Sequence, residues 1–114
     1  EVVEILERHQ VMAAILDLGG NVYVYGEKPG SDTWRIGIAN PFTEEHHEAF
    51  ILQGRDISCV TSGDYERYFV YQGEKYHHIF DGKTGYPVRG ELASVSIFSR
   101  KSEQADILST ACFV

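Results

Sequence analysis

The sequence predicts an α+β fold in which a largely antiparallel sheet is flanked by helices. A helical apolar period opens the chain, a succession of short β-branched and aromatic runs fills its middle, and a capped helical stretch closes it. Hydrophobic residues make up 43% and charged residues 24% of the 114 positions, the balance of a globular domain or part of one rather than of a disordered chain. The formal charge of -7 argues against a partner held through nucleic-acid phosphates, which need Lys and Arg. No apolar run approaches the ~20 residues that span a bilayer.

Taken in order, Val2, Val3, Ile5, Leu6 and Val11 keep a helical period, which predicts a helix from Glu1 to Val11. Ala14 to Leu18 is too short for a helix and is closed by Gly19-Gly20, so it predicts a buried strand. Val22 to Tyr25 is β-branched and aromatic, Lys28 to Asp32 is a turn cluster, and Trp34 to Ile38 alternates like a half-buried strand. Asn40-Pro41 breaks the pattern. Strands are expected at Ala49–Gln53, Ile57–Thr61 and Tyr65–Tyr71, with a tight turn at Gln72-Gly73-Glu74 leading into Lys75–Phe80. A Gly/Pro-rich loop from Gly82 to Gly90 precedes a strand at Leu92–Phe98, and Ser102 is the expected N-cap of a final helix. The chain opens at Glu1 without a Met and stops at Val114 in an apolar segment, so residues 1–114 are expected to be a piece of a longer protein.

Several segments carry residues suited to chemistry. Cys59 and Cys112 exclude a four-cysteine zinc site or a disulfide framework, and their apolar neighbours predict that both behave as small hydrophobes. Glu44-Glu45-His46-His47-Glu48 lacks metalloprotease spacing and reads as a solvated loop rather than a site. Asp17-Leu18-Gly19-Gly20-Asn21 ends a strand in two glycines, which lets backbone approach a ligand with no Cβ in the way; the alternative is a simple turn. In Thr61-Ser62-Gly63-Asp64-Tyr65-Glu66-Arg67, small hydroxyls and backbone N–H groups suit phosphate oxygens and Glu66 suits ribose or base donors, unless the segment is only a strand connection. His77 and His78 are strand neighbours and point to opposite faces, so one faces a site and the other the solvent or the far side of the sheet. Asp106 and Thr110, four apart on a helix, present two hard oxygens suited to Mg²⁺, or else an exposed Asp and a Thr bonded back to the helix.

Together and in one order, Asp17-Leu18-Gly19-Gly20-Asn21, Ser62-Gly63-Asp64-Tyr65-Glu66-Arg67, His78-Ile79-Phe80-Asp81 with Thr84-Gly85-Tyr86-Pro87, and Ala105 to Ala111 resemble the C-terminal part of the ApbE-type flavin transferases, FAD:protein FMN transferases. The resemblance implies an ApbE-like (T-fold-like) domain of which residues 1–114 are the C-terminal part. It implies an enzyme that splits FAD, moves FMN to a Thr hydroxyl of an acceptor flavoprotein and releases AMP. By the same resemblance Asp106 and Thr110 hold Mg²⁺, Ser62, Gly63 and Glu66 contact FAD, and His78 stands at the reaction centre. It also implies a periplasmic or extracytoplasmic protein, membrane-anchored through a lipid outside this segment. The sequence departs from the family pattern where Gly82 follows Asp81 in place of Pro, and the family's upstream Ala-Lys-Gly segment and flavin-covering region do not occur in it. Whether His78 or Asp81 takes the proton stays open. Two other readings compete: a module that binds FAD without turning it over, and a Mg²⁺-dependent FAD pyrophosphatase giving FMN and AMP.

Overall fold

The computed structural model describes residues 1–43 and 47–114, so residues 44–46 of the expected acidic-histidine loop lie outside the described residues. Helix α1 (Val2–Arg8) is followed by strands β1 (Ala13–Asp17), β2 (Asn21–Gly26), β3 (Trp34–Ala39), β4 (Glu48–Gly54), β5 (Ile57–Gly63), β6 (Tyr68–Tyr71), β7 (Glu74–His77) and β8 (Ser94–Ser99), and then by helix α2 (Ser102–Phe113). The expected α+β class holds, with every strand pairing antiparallel. The strands divide into a four-stranded sheet, β1-β2-β5-β8, and two separate hairpins, β3–β4 and β6–β7.

Alternation along β5 sorts the two faces of the sheet. Ile57 and Cys59 join Val24 of β2 against Ile36, Ile38, Trp34 and Leu52 of the β3–β4 hairpin, which makes the apolar core. The intervening residues Ser58, Val60 and Ser62 face the other way, toward α2, whose Ala105, Ser109 and Phe113 recur every four residues and are buried. One face is therefore sealed by hydrocarbon and the other partly by hydroxyls. Among the described residues no helix is long and apolar enough to cross a membrane.

The boundaries differ from expectation where side chains find tertiary partners. Helix α1 stops at Arg8 rather than Val11 because Gln10 takes a positive φ of 55°, while the Val11 N–H donates to the Leu6 carbonyl at 2.9 Å. Ser102 is not an N-cap. The cap is Lys101, without a side-chain bond, and the Ser102 hydroxyl instead donates to Asn21 Oδ1 at 2.8 Å. Strand β6 starts only at Tyr68, since Asp64 to Arg67 form a turn, and β7 ends at His77 because the following residues fold into a loop closed by Asp81 N–H to the Tyr86 carbonyl at 2.9 Å. Gln72 and Gly73, with φ of 52° and 80°, make the tight turn expected there.

His77 and His78 do point apart, and the structure distinguishes them. His77 is 7% exposed; its Nε2–H donates to the Val88 carbonyl at 2.9 Å, and its Nδ1 accepts the Ile79 N–H at 3.3 Å. Its ring also meets Phe113 edge-on at 5.8 Å. His78 is exposed. The cysteines part company as well: Cys59 is buried, as expected, whereas Cys112 lies on the outer side of α2 and is exposed, because the inward positions of that helix fall on Ala105, Ser109 and Phe113.

Two outcomes follow for denaturation and labelling. His77→Ala strands a buried carbonyl and an N–H and should lower stability by about 2–3 kcal/mol, whereas His78→Ala should stay within about 0.5 kcal/mol, as read from urea midpoints. Burial pushes the Cys59 thiol up, outweighing its hydrogen bond with Thr61. Thiolate is the reactive form, so iodoacetamide at neutral pH should modify Cys112 and spare Cys59, with peptide mass as the measure.

Candidate functional site

Ser62 and Thr110 meet where β5 ends under α2, and Glu66 lies beside the turn that precedes β2. The β1–β2 connection is a two-residue turn: Gly19 and Gly20 have φ of 73° and 79°, the Leu18 N–H donates to the Asn21 carbonyl at 3.0 Å, and Asp17 Oδ1 accepts the Gly19 N–H at 3.0 Å. Gly20 then lies against the neighbouring strand, its carbonyl accepting the Thr61 N–H at 2.8 Å. A Cβ at Gly20 would stand 3.2 Å from the Thr61 carbonyl oxygen and 3.6 Å from Glu66 Oε2. The Glu66 carboxylate thus lies beside the bare Gly20 backbone.

Two groups of hydroxyls join β5 to α2 beside that turn. Asn21 Oδ1 accepts from Ser102 Oγ at 2.8 Å and from Ser58 Oγ at 3.1 Å. Farther along, Ser62 Oγ is 2.9 Å from Ser109 Oγ and 3.1 Å from Thr110 Oγ1. Ser109, fully buried, donates to the Asp106 carbonyl at 3.0 Å, so the bond back into the helix expected of Thr110 is made by its neighbour. Asp106 and Thr110 are both exposed, one turn apart on the same side of α2. Asp106 borders a cleft of about 600 Å³ that also takes in Leu16, Leu18, Asn21, Tyr23 and Ser102, with Glu1 to Val3 of α1 as its far wall.

Gly63, the next residue of β5, is required by packing: a Cβ there would come within 2.6 Å of Tyr65 Cε1. Burial pushes the Tyr65 phenol up, and the charge on Glu66 adds to this against a hydrogen bond with Ser94. His78 is tied to the segment after β5: its Nδ1–H donates to the Arg67 carbonyl at 3.3 Å, one residue beyond Glu66. That bond occupies Nδ1, and Nε2 is the ring nitrogen it leaves. Asp81 has a different duty, since its Oδ1 accepts the Lys83 N–H at 2.8 Å and its carbonyl the Gly85 N–H at 2.8 Å, which builds the turn after β7.

Among the described residues no group of three or more His, Cys, Asp or Glu could hold a metal ion. A soft or imidazole-rich centre does not fit. One carboxylate and one hydroxyl do suit Mg²⁺, which keeps several waters and takes one or two protein oxygens beside phosphate. Sequence reasoning missed Ser109. Its signal was a small polar residue at the inward helical spacing of Ala105 and Phe113, which reads as packing until its partners are visible.

The model of the ApbE family matches residues 1–114. The FAD:protein FMN transferase of Treponema pallidum (strain Nichols) is 42% identical over 122 aligned residues, which take in 100% of this chain and 34% of that protein. The FAD:protein FMN transferase of Klebsiella pneumoniae (strain 342) is 42% identical over 108 residues, 95% of this chain and 32% of the relative. Among solved structures, the ApbE protein of Thermotoga maritima superposes with a TM-score of 0.82 at 42% identity, covering 90% of this chain and 32% of that one. Pseudomonas stutzeri flavinyl transferase ApbE, in its apo form, gives a TM-score of 0.75 at 32% identity over 99% of this chain and 34% of that one. The chain spans about a third of the length of these relatives.

The turn offers a direct check on its geometry. An alanine at either glycine must adopt a left-handed conformation costing about 1–2 kcal/mol. Only at Gly20 does the new methyl also crowd the Thr61 carbonyl, while Gly19 has open space around it. Thermal or urea unfolding should therefore show Gly20→Ala to be the more damaging of the two.

Proposed function

The chain belongs to the ApbE family, and from that footing we propose that it contributes the metal-holding and reaction-centre residues of a Mg²⁺-dependent FAD:protein FMN transferase. The reaction would move FMN from FAD to a Thr hydroxyl of an acceptor flavoprotein and release AMP. The observation that carries this reading is the meeting of two segments far apart in sequence, with Ser62 Oγ 3.1 Å from Thr110 Oγ1. That contact brings the Ser62-Gly63 strand end, proposed to contact FAD, beside the Asp106/Thr110 oxygen pair.

Each residue has a chemical task in this proposal. FAD carries a diphosphate to a chain of formal charge -7, so its reacting end needs a cation beside it. Asp106 and Thr110 would hold Mg²⁺ there, and when bound it supplies neutralisation of charge on the phosphate and leaving oxygens. Glu66, held over Gly20, accepts from ribose or base hydrogen-bond donors, and Ser62 and Gly63 form the strand end along which the dinucleotide lies. His78 takes the proton from the acceptor hydroxyl through Nε2, the nitrogen left open by the bond from Nδ1 to Arg67. Asp81 supports it by shaping the next turn, because one of its oxygens is already taken by the Lys83 N–H. The extracytoplasmic, lipid-anchored setting belongs to the same proposal.

Mass spectrometry of FAD incubated with the complete protein that contains this chain, Mg²⁺ and a Thr-containing acceptor tests the reading. The expected product is acceptor carrying the added mass of FMN, with AMP released. Free FMN and AMP with unmodified acceptor would instead mean hydrolysis by water, and intact FAD would mean a binding module. In the same assay Asp106→Ala should abolish transfer. His78→Ala should slow it by about 10²–10⁴-fold with FAD binding little changed. Near-normal turnover of Asp106→Ala in Mg²⁺ would remove the metal assignment.

A further inference from the structure

Three hydroxyls and one carbonyl lie in a row between β5 and α2: Thr110 Oγ1, Ser62 Oγ, Ser109 Oγ and the Asp106 carbonyl oxygen, with successive separations of 3.1, 2.9 and 3.0 Å. These are three contacts, and three hydroxyl protons are available to fill them. The last contact fixes the direction, because a carbonyl can only accept, so the Ser109 proton is committed to Asp106. Ser109 must then accept at its other contact, and the proton in the 2.9 Å contact is the one on Ser62. Were Ser62 to donate toward Thr110 instead, Ser109 could fill the 2.9 Å contact only by giving up its bond to the Asp106 carbonyl. With the Ser62 proton committed inward, the proton in the 3.1 Å contact comes from Thr110. Only one arrangement fills every contact, and it runs one way, from the exposed Thr110 to the buried helix carbonyl.

We propose that Ser62 is a positioning residue, which through this directed hydroxyl chain draws the Thr110 proton inward and leaves the Thr110 Oγ1 lone pairs turned outward as a cation ligand. The inference rests on the metal reading of Asp106 and Thr110 and adds to it a reason why a neutral hydroxyl serves there. An unconstrained threonine hydroxyl rotates, spending part of its time with its proton toward the cation or bonded back to its own helix. Ser62 and Ser109 remove both options. Ser109 is 0% exposed, so its polar oxygen can be satisfied only within this chain. The order of roles also separates Ser62 from a simple ligand contact: its proton and one of its acceptor positions are used within the protein.

The test is calorimetric titration of the protein with Mg²⁺ alone, without FAD, alongside urea unfolding of each variant. Ser62→Ala and Ser109→Ala each break the chain at a different link and should weaken Mg²⁺ binding about tenfold, within the ~10–100-fold range for residues that orient metal ligands. Ser62→Thr keeps a hydroxyl on a strand residue and should restore affinity. In a Thr110→Val background, where no hydroxyl remains to orient, Ser62→Ala should cost no further affinity, whereas a general loss of structure would cost the same in both backgrounds. If Ser62→Ala fails to fold, Ser109→Ala carries the same comparison on a helix position where alanine is favoured. Unchanged Mg²⁺ affinity in folded Ser62→Ala or Ser109→Ala, with Asp106→Ala and Thr110→Val both impaired, would overturn the positioning role and leave the metal site standing. Absence of Mg²⁺ binding by the wild-type protein, or affinity unaffected by Asp106→Ala and Thr110→Val, would overturn the metal reading and this inference with it.

Discussion

The alignment of α2 on β5 is the constraint from which the site takes its geometry. Hydrocarbon contacts alone would let a helix slide on a sheet, since one apolar surface packs against another with little directional preference. Two groups of hydroxyl contacts remove that freedom. Ser102 is tied through Asn21 to Ser58, and Ser109 and Thr110 are tied to Ser62. Four strand residues rise about 13 Å and eight helix residues about 12 Å, so the two ends match at one alignment. A slip by one helical turn, about 5.4 Å, would break both at once and strand buried oxygens on each side.

The β1–β2 turn depends on this arrangement and supports it. Gly19 and Gly20 reverse the chain within two residues, which sets Asn21 at the start of β2 with its amide oxygen between Ser58 and Ser102. The same turn brings the Gly20 carbonyl to the Thr61 N–H and leaves room for Glu66. Beside it the Tyr65 ring lies over Gly63. Gly63, Tyr65 and Glu66 thus pack against one another and against the β1–β2 turn within one short stretch.

Much of this was legible in the residues. Alternation identified β3, most of β5 was expected as a strand, the Gly-Gly and Gln-Gly pairs marked their turns, and the four-residue spacing of Asp106 and Thr110 placed them on one side of a helix. Periodicity also separated His77 from His78, but it could not say which imidazole was the packed one; that depended on the Val88 carbonyl and Phe113, which lie far along the chain. Ser102 illustrates the limit differently. Its local signal as a helix cap was sound, yet a tertiary acceptor, Asn21, took its hydroxyl. Cys112 looked apolar by its neighbours and proved exposed because helix phase, rather than local composition, decides which side turns inward.

The strand order carries a consequence for how the molecule comes into being. The β3–β4 hairpin pairs residues close in sequence, while the pairing of β2 with β5 must bridge that whole hairpin, and α2 packs on strands that all precede it. Local pairings close quickly and distant ones wait on loop closure. As the chain is synthesised, hairpins can form while the site does not yet exist, because Asp106, Ser109 and Thr110 arrive after every strand. Until then Ser58 and Ser62 face water on an uncovered sheet. Within this segment the contacts between β5 and α2 are assembled last, and a nascent chain halted before α2 would hold the core's hairpin without Asp106, Ser109 or Thr110.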